Sequence, residues 1–218
     1  MTCCCSSQCA AATFFSSRIA ERDLRRYQRR GPDASTDMIL SGLRGWPLHG
    51  LHLLDVGAGV GVIAAELAAS GVASATLSEA SAAYLEVARR NVASRYSANP
   101  PQFIHGDFAA TAASLPEADI VTLDRVVCCY PDVDSLLRAA AGRARRLLAF
   151  SYPRDRWYMR FAMSAESFFL WLGRSPFRVF VHSPQRMASI LEAAGLVCAA
   201  HQETLLWSAD LYHRPSHL

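Results

Sequence analysis

No lysine occurs in this 218-residue chain; its 22 basic side chains are all arginine, set against 19 acidic ones for a net charge of +3. The absence removes the phosphate-binding loop, which needs a Lys followed by Ser or Thr after its last glycine. All-arginine usage fits GC-rich codon bias, and without a clustered basic patch the mild charge names no nucleic-acid partner. No apolar run approaches the roughly 20 residues that a membrane-spanning helix needs. The opening stretch, MTCCCSSQCAAATFFSSR, lacks the basic start and long apolar centre of a secretory signal, and Glu21 and Asp23 argue against a transit peptide. The expected compartment is therefore the cytoplasm. Seven cysteines, an odd number placed as Cys3, Cys4, Cys5, Cys9, the adjacent Cys128 and Cys129, and Cys198, do not make a secreted disulfide framework, so reduced thiols are expected. The tail cluster offers soft ligands for a metal or metalloid but lacks the paired spacing of a structural zinc site, and no metal is assigned to it.

What is present begins with LLDVGAGVGVIAAELAASG, Leu53 to Gly71. Leu53, Leu54 and Val56 suit a buried strand, Gly57, Gly59 and Gly61 punctuate a turn, and Val62 to Ala69 is rich in helix formers. Glycines in such a loop allow unusual dihedrals and let a ligand approach the backbone. The dinucleotide fingerprint spaces its glycines G-x-G-x-x-G, whereas here the third comes one residue early and Val62 takes its place. SATLSEAS then reads as a second strand ending at Glu79, FIHGDFAA as a third ending at Gly106-Asp107-Phe108, and ADIVTLDRVVCCYPD as a fourth running out between Asp124 and Asp132.

These four elements, in this order, resemble the class I S-adenosylmethionine-dependent methyltransferases. The resemblance implies a Rossmann-like α/β fold: a central, mostly parallel sheet, a C-terminal antiparallel hairpin and helices on both faces. It implies S-adenosylmethionine as cofactor, with Asp55, Gly57, Ala58, Gly59 and Gly61 around the amino-acid end. Glu79, followed by Ala80, would take the ribose hydroxyls, since a carboxylate accepts two hydrogen bonds from a diol. Asp107 would meet the adenine amino group with Phe108 against the ring, and Asp124 would lie near the methyl. RRYQRRGP, LDRVVCCYPD, YPRDRWYMR and FRVFVHSPQRM extend the similarity, across nearly the whole chain, to bacterial methyltransferases distantly akin to magnesium-protoporphyrin O-methyltransferases.

Length and apolar content suit one domain over residues 1–218. Its expected parts are a Cys-rich tail (1–13), an N-terminal helical cap (14–47) and a substrate-recognition insertion (153–182). In the cap, Ser16 or Ser17 caps a helix whose apolar face is Ile19 or Ala20, Leu24 and Tyr27, and Gly31-Pro32 ends it. Tyr27, Arg29 or Arg30 is the candidate for the methionine carboxylate, beside the alternative of a solvated basic face supported by Glu21–Arg25 pairing. DVDSLLRAAAGRARR reads as helix and LLAFSYP as a fifth strand. Ser183, Pro184 and Gly195 bracket another helix, and two strands close the chain.

The insertion carries Trp157, Tyr158, Phe161, Phe168, Phe169, Trp171, Phe177 and Phe180 among arginines, a composition suited either to an aromatic or acidic acceptor or to a buried lid. Methyl transfer from a sulfonium is an in-line displacement that relies on alignment and exclusion of water; a carboxylate nucleophile needs no base, while an alcohol, phenol or thiol needs one. Candidates beside the methyl are Asp124, Arg125, Cys128, Cys129 and Tyr130, with His182 from the insertion. Related enzymes often carry His where the Cys pair stands, and either Cys also reads as a small packing residue. The expected activity is O-methylation of a small molecule. Thiol or metalloid methylation and a non-catalytic cofactor-binding scaffold are the alternatives, and the sequence leaves the oligomeric state open.

Overall fold

The computed structural model describes residues 16–96, 98–159 and 179–215. The cysteine tail and most of the aromatic insertion, including Phe161, Phe168, Phe169, Trp171 and Phe177, lie outside them. Two helices come first, α1 (Ser17–Arg30) and α2 (Ala34–Arg44), followed by β1 (His52–Val56), α3 (Val62–Ala69), β2 (Ser74–Glu79), α4 (Ala82–Val92) and β3 (Gln102–His105). The short α5 (Phe108–Thr111), β4 (Ala118–Leu123), α6 (Val133–Arg143), β5 (Ala144–Pro153), α7 (Pro184–Ala193), β6 (Val197–Glu203) and β7 (Trp207–His213) complete the order.

The strands form one sheet in the order β3-β2-β1-β4-β5-β7-β6, parallel up to β5 and antiparallel across β7 and β6. The expected Rossmann-like architecture is the one observed. Central strands β1 and β4 are buried along nearly their full length, because helices cover both faces and leave no solvent side to alternate with. One core layer joins α1, α2, α3 and α4 to the sheet through Leu24, Leu40, Leu43, Leu67 and Val92; the other joins α6 and α7 through Leu136, Leu137, Met187 and Leu191. The chain leaves β1 towards β2 on one side and takes up β4 on the other. The reversal opens a crevice at the C-terminal ends of β1 and β4, the place where open α/β sheets bind ligands.

Helix boundaries follow local chemistry, with two departures from the expected reading. Ser183 caps α7 through the Arg186 amide with Pro184 in the first turn, and Gly195 turns the chain at φ 79°. Ala20, Leu24 and Tyr27 form the buried face of α1, which Gly31 ends; Ser16 stands at its N-cap without a side-chain bond. Glu21, expected to pair with Arg25, pairs instead with Arg90, because α4 packs alongside and brings a guanidinium across the gap. The helical run DVDSLLRAAAGRARR also stops early. Ala144, Arg145 and Arg146 belong to β5, whose first residue pairs with Ala118 of β4, so sheet pairing overrides their helix propensity.

The loop from β1 to α3 is held by space as well as by hydrogen bonds. Gly61 sits at φ 76°, where an added Cβ would lie 2.5 Å from a Val92 methyl, and Gly57 at φ 62°, where it would lie 2.4 Å from a Val126 methyl. Gly61→Ala is expected to cost roughly 1–3 kcal/mol of stability in urea unfolding through strain and overlap. In a Val92→Ala background the same change should cost measurably less; equal costs in both backgrounds would remove the overlap explanation.

Candidate functional site

At the crevice lies a cavity of about 480 Å³, framed by the glycine loop, the ends of β2 and β4, and the N-terminal helices. Its floor is Asp55 to Val60, its side wall Ser78, Glu79 and Ala80, and its far end Asp124 to Val126 with Cys128, Cys129 and Tyr130. Arg22, Asp23, Arg26, Tyr27, Asp33 and Thr36 form the cap, and Val179 and Trp207 reach it from the C-terminal half.

Each acidic group here is held differently. Asp55 is wholly buried: Oδ1 accepts from the Thr122 hydroxyl at 2.7 Å, and Oδ2 has no partner. Burial, with the Asp124 and Glu79 charges adding, raises its pKa from 3.8 to about 7 against the lowering effect of the Thr122 bond. Glu79 accepts the Gly59 amide at 2.9 Å and the Ser81 amide at 2.8 Å, one on each oxygen. Burial still pushes its pKa up, opposed by those amides. The carboxylate thus ties the glycine loop to the end of β2.

At the far end the chain turns through Arg125 at φ 57°, the one described non-glycine residue with a positive φ. Ser151, fully buried on β5, holds the corner by accepting the Arg125 amide at 2.8 Å and donating to Asp124 Oδ1 at 2.5 Å. Thr36 donates to Asp124 Oδ2 at 2.6 Å, so α2 is bonded directly to the end of β4. Asp33, the α2 N-cap, accepts from Arg26 at 3.1 Å and Arg125 at 2.7 Å on one oxygen. Its pKa is lowered: burial opposes this, and the Arg125 charge and the Thr36 and Ser35 bonds outweigh it.

The following turn, Val127–Cys129, brings the two cysteine sulfurs to 3.8 Å from each other. Tyr130 donates its hydroxyl to Asp107 Oδ1 at 2.6 Å, and that oxygen also receives the Ala109 amide. Asp107 therefore braces Tyr130 and is not itself among the residues lining the cavity, whereas Phe108 and Gly106 are. His182 likewise stands outside the lining, its Nε2 2.8 Å from the Tyr130 carbonyl oxygen, while Phe180 donates its amide to Cys128. Ala58, Gly57, Gly59, Glu79, Ala80, Asp124, Arg125, Cys129 and Tyr130 all face the cavity. Gly61 bounds the loop from beneath, where it meets Val92 and Leu77.

The cap differs from expectation. Arg22 and Arg26 line the cavity, and the exposed Arg29 bonds back to the Arg25 carbonyl. Tyr27 is turned to Glu66 at 2.8 Å, with its pKa pushed up to about 12 by burial and that carboxylate. Thr36, Ser151 and Arg26 carried no motif of their own.

Residues 53–149, the span that builds this loop and these strand ends, match the family model described as methyltransferase domain. Over that span the chain is similar to a methyltransferase domain. Methyl transfer is the reaction of the matched domain, and the fold is seen with S-adenosylmethionine bound in a magnesium protoporphyrin IX methyltransferase. The methyltransferase fold is shared with magnesium protoporphyrin IX methyltransferase from Synechocystis PCC 6803. With bound S-adenosylhomocysteine that structure has TM-score 0.73 and 19% identity, over 96% of this chain and 100% of that one. A TehB-like S-adenosylmethionine-dependent methyltransferase from Corynebacterium glutamicum has TM-score 0.62 and 12% identity, over 91% and 97%. At these identities the agreement is one of fold. No curated protein matches the chain.

The donor set of this site fits S-adenosylmethionine. The unpartnered, buried Asp55 Oδ2 borders the cavity and suits an ammonium group, and the glycine loop leaves space that a Cβ would reduce. Between pH 3.8 and about 7 the folded protein holds an Asp55 proton that the unfolded chain has released, so this group's contribution to stability falls as pH rises through that window. Asp55→Asn is expected to gain on the parent protein in urea midpoint as pH rises from 4 to 8, and to weaken S-adenosylmethionine binding. A stability difference that does not vary with pH would contradict the raised pKa.

Proposed function

We propose that the protein transfers the methyl group of S-adenosylmethionine to an oxygen of a small-molecule acceptor, and that this oxygen belongs to a carboxylate. The supporting observation is how fully the groups at the far end are engaged. Asp124 is held by Thr36 and Ser151 and faces Arg125, the Tyr130 hydroxyl donates a hydrogen bond to Asp107, and the buried Cys128 thiol has its pKa raised by the Cys129 bond and by burial. A group so engaged is poorly placed to remove a proton, and a carboxylate acceptor arrives without one to remove. Arg26 and Arg125, which share one Asp33 oxygen, supply guanidinium donors for such an anion.

In this reading Asp55 and the loop of Gly57, Ala58, Gly59 and Gly61 hold the amino-acid end of the cofactor. Glu79 and Ala80 hold the ribose, and Phe108 packs on the adenine, with Asp107 acting through Tyr130 as well as towards the base. The bound sulfonium supplies an electrophilic methyl group. Asp124, Arg125, Cys129 and Tyr130 shape the space in which the acceptor meets it, excluding water and fixing the approach. His182 supports the Tyr130 carbonyl from outside. The acceptor is a small acidic or aromatic molecule in the cytoplasm, as the named activity of the Synechocystis relative also suggests, and not a nucleic acid. Among the described residues no helix is long and apolar enough to cross a membrane.

Calorimetry with S-adenosylmethionine and S-adenosylhomocysteine is expected to show binding that weakens at least tenfold in Glu79→Ala, with no heat from NAD; undiminished binding in the variant removes the ribose assignment. With labelled S-adenosylmethionine and a panel of carboxylic acids, phenols and thiols, product label should be released by mild alkali, as from a methyl ester. Alkali-stable label identifies an ether or thioether and overturns the carboxylate reading.

A further inference from the structure

The adjacent cysteines at the far end of the cavity have a geometry that methyl transfer to a carboxylate does not use. Both line the cavity, and the turn Val127–Cys129 aims both sulfurs at the Arg125 carbonyl oxygen, at 3.3 Å from Cys128 and 3.6 Å from Cys129. Their separation of 3.8 Å is one that a single bridging atom spans, since a soft centre sits about 2.3 Å from each thiolate sulfur. The pair therefore offers a two-point chelate in the cavity wall.

The geometry points to a binding site for trivalent arsenicals of the R–As=O class at Cys128 and Cys129, in the space between Arg125 and Tyr130. Chemistry favours this ligand over a divalent metal. Zinc asks for four ligands and for thiolates, and among the described residues no group of three or more His, Cys, Asp or Glu is arranged to hold a metal ion. Burial works against thiolates here as well, since the Cys128 thiol has its pKa raised. An arsenical condenses with neutral thiols. Two S–H bonds and the As=O bond break, two As–S bonds form, the oxygen leaves as water with both protons, and arsenic remains trivalent. The product carries no new charge, so the desolvated setting that resists zinc does not resist it. The chelate would occupy the acceptor end of the cavity.

Other thiols must be separated from this pair. In full-length protein with Cys3, Cys4, Cys5, Cys9 and Cys198 replaced by Ser, phenylarsine oxide is the probe and intact mass the readout. One phenylarsenic per chain is expected, released by dithiothreitol and resistant to an equal concentration of thiol groups as glutathione. Adding Cys129→Ser, at the less buried position, is expected to abolish the glutathione-resistant adduct while the melting temperature stays within a few degrees. Adding Cys128→Ser tests the other half of the chelate under the same readout. No adduct in the parent, or an equally resistant adduct after Cys129→Ser, overturns the site. The measurement needs neither cofactor nor turnover, so its failure leaves the proposed function standing, and failure of that function leaves this site standing.

Discussion

The closeness of the glycine loop to its neighbours is the constraint on which the rest of the site depends. At Gly57 and Gly61 the backbone turns through the left-handed region against Val126 and Val92, with no room for a β-carbon. Because the loop lies that low, the Gly59 amide reaches Glu79 and the cavity opens above the ends of β1 and β4. A bulkier loop would have to rise into the cavity, so the spacing of the glycines sets its depth.

A second constraint is electrostatic. Asp55, Glu79 and Asp124 converge on one crevice, and the protein gives each a separate solution. Glu79 is held by backbone amides, Asp124 by two hydroxyls and a nearby guanidinium, and Asp55 by a single hydroxyl with one oxygen unpartnered. The least satisfied of the three is Asp55, whose pKa burial raises to about 7, so it is poised to receive a cationic or hydrogen-bonding partner. The same network fastens the cap: Thr36 bonds to Asp124, and Asp33 bonds to Arg125, so α2 is tied to the end of β4.

Much of the fold was legible because its signals are short-ranged. The strand-loop-helix at Leu53, the acidic strand end at Glu79, the Ser183-Pro184 helix start and the closing hairpin each depend on neighbours within a few residues. What escaped depended on distant ones. The helix-like spacing of Glu21 and Arg25 lost to Arg90 on a packed neighbour, and Arg145-Arg146 passed from helix to strand because β4 was waiting for a partner. Asp107 and His182 occupy the expected stretches, yet their polar atoms turn to Tyr130.

By itself the sequence determined the strand, glycine loop and helix that begin at Leu53 and the strand ends that surround them, since glycine spacing and apolar periodicity act through local sterics and burial, while the class of fold followed from the family these elements resemble. Only the tertiary structure decided which side chains meet at the far end. Thr36 and Asp124 are 88 residues apart, Asp124 and Ser151 are 27 apart, and Asp107 and Tyr130 are 23 apart. No local pattern encodes such pairings. They exist because the chain reverses direction across the sheet between β1 and β4, and that reversal brings the capping helix, two strand ends and the cysteine turn around one cavity.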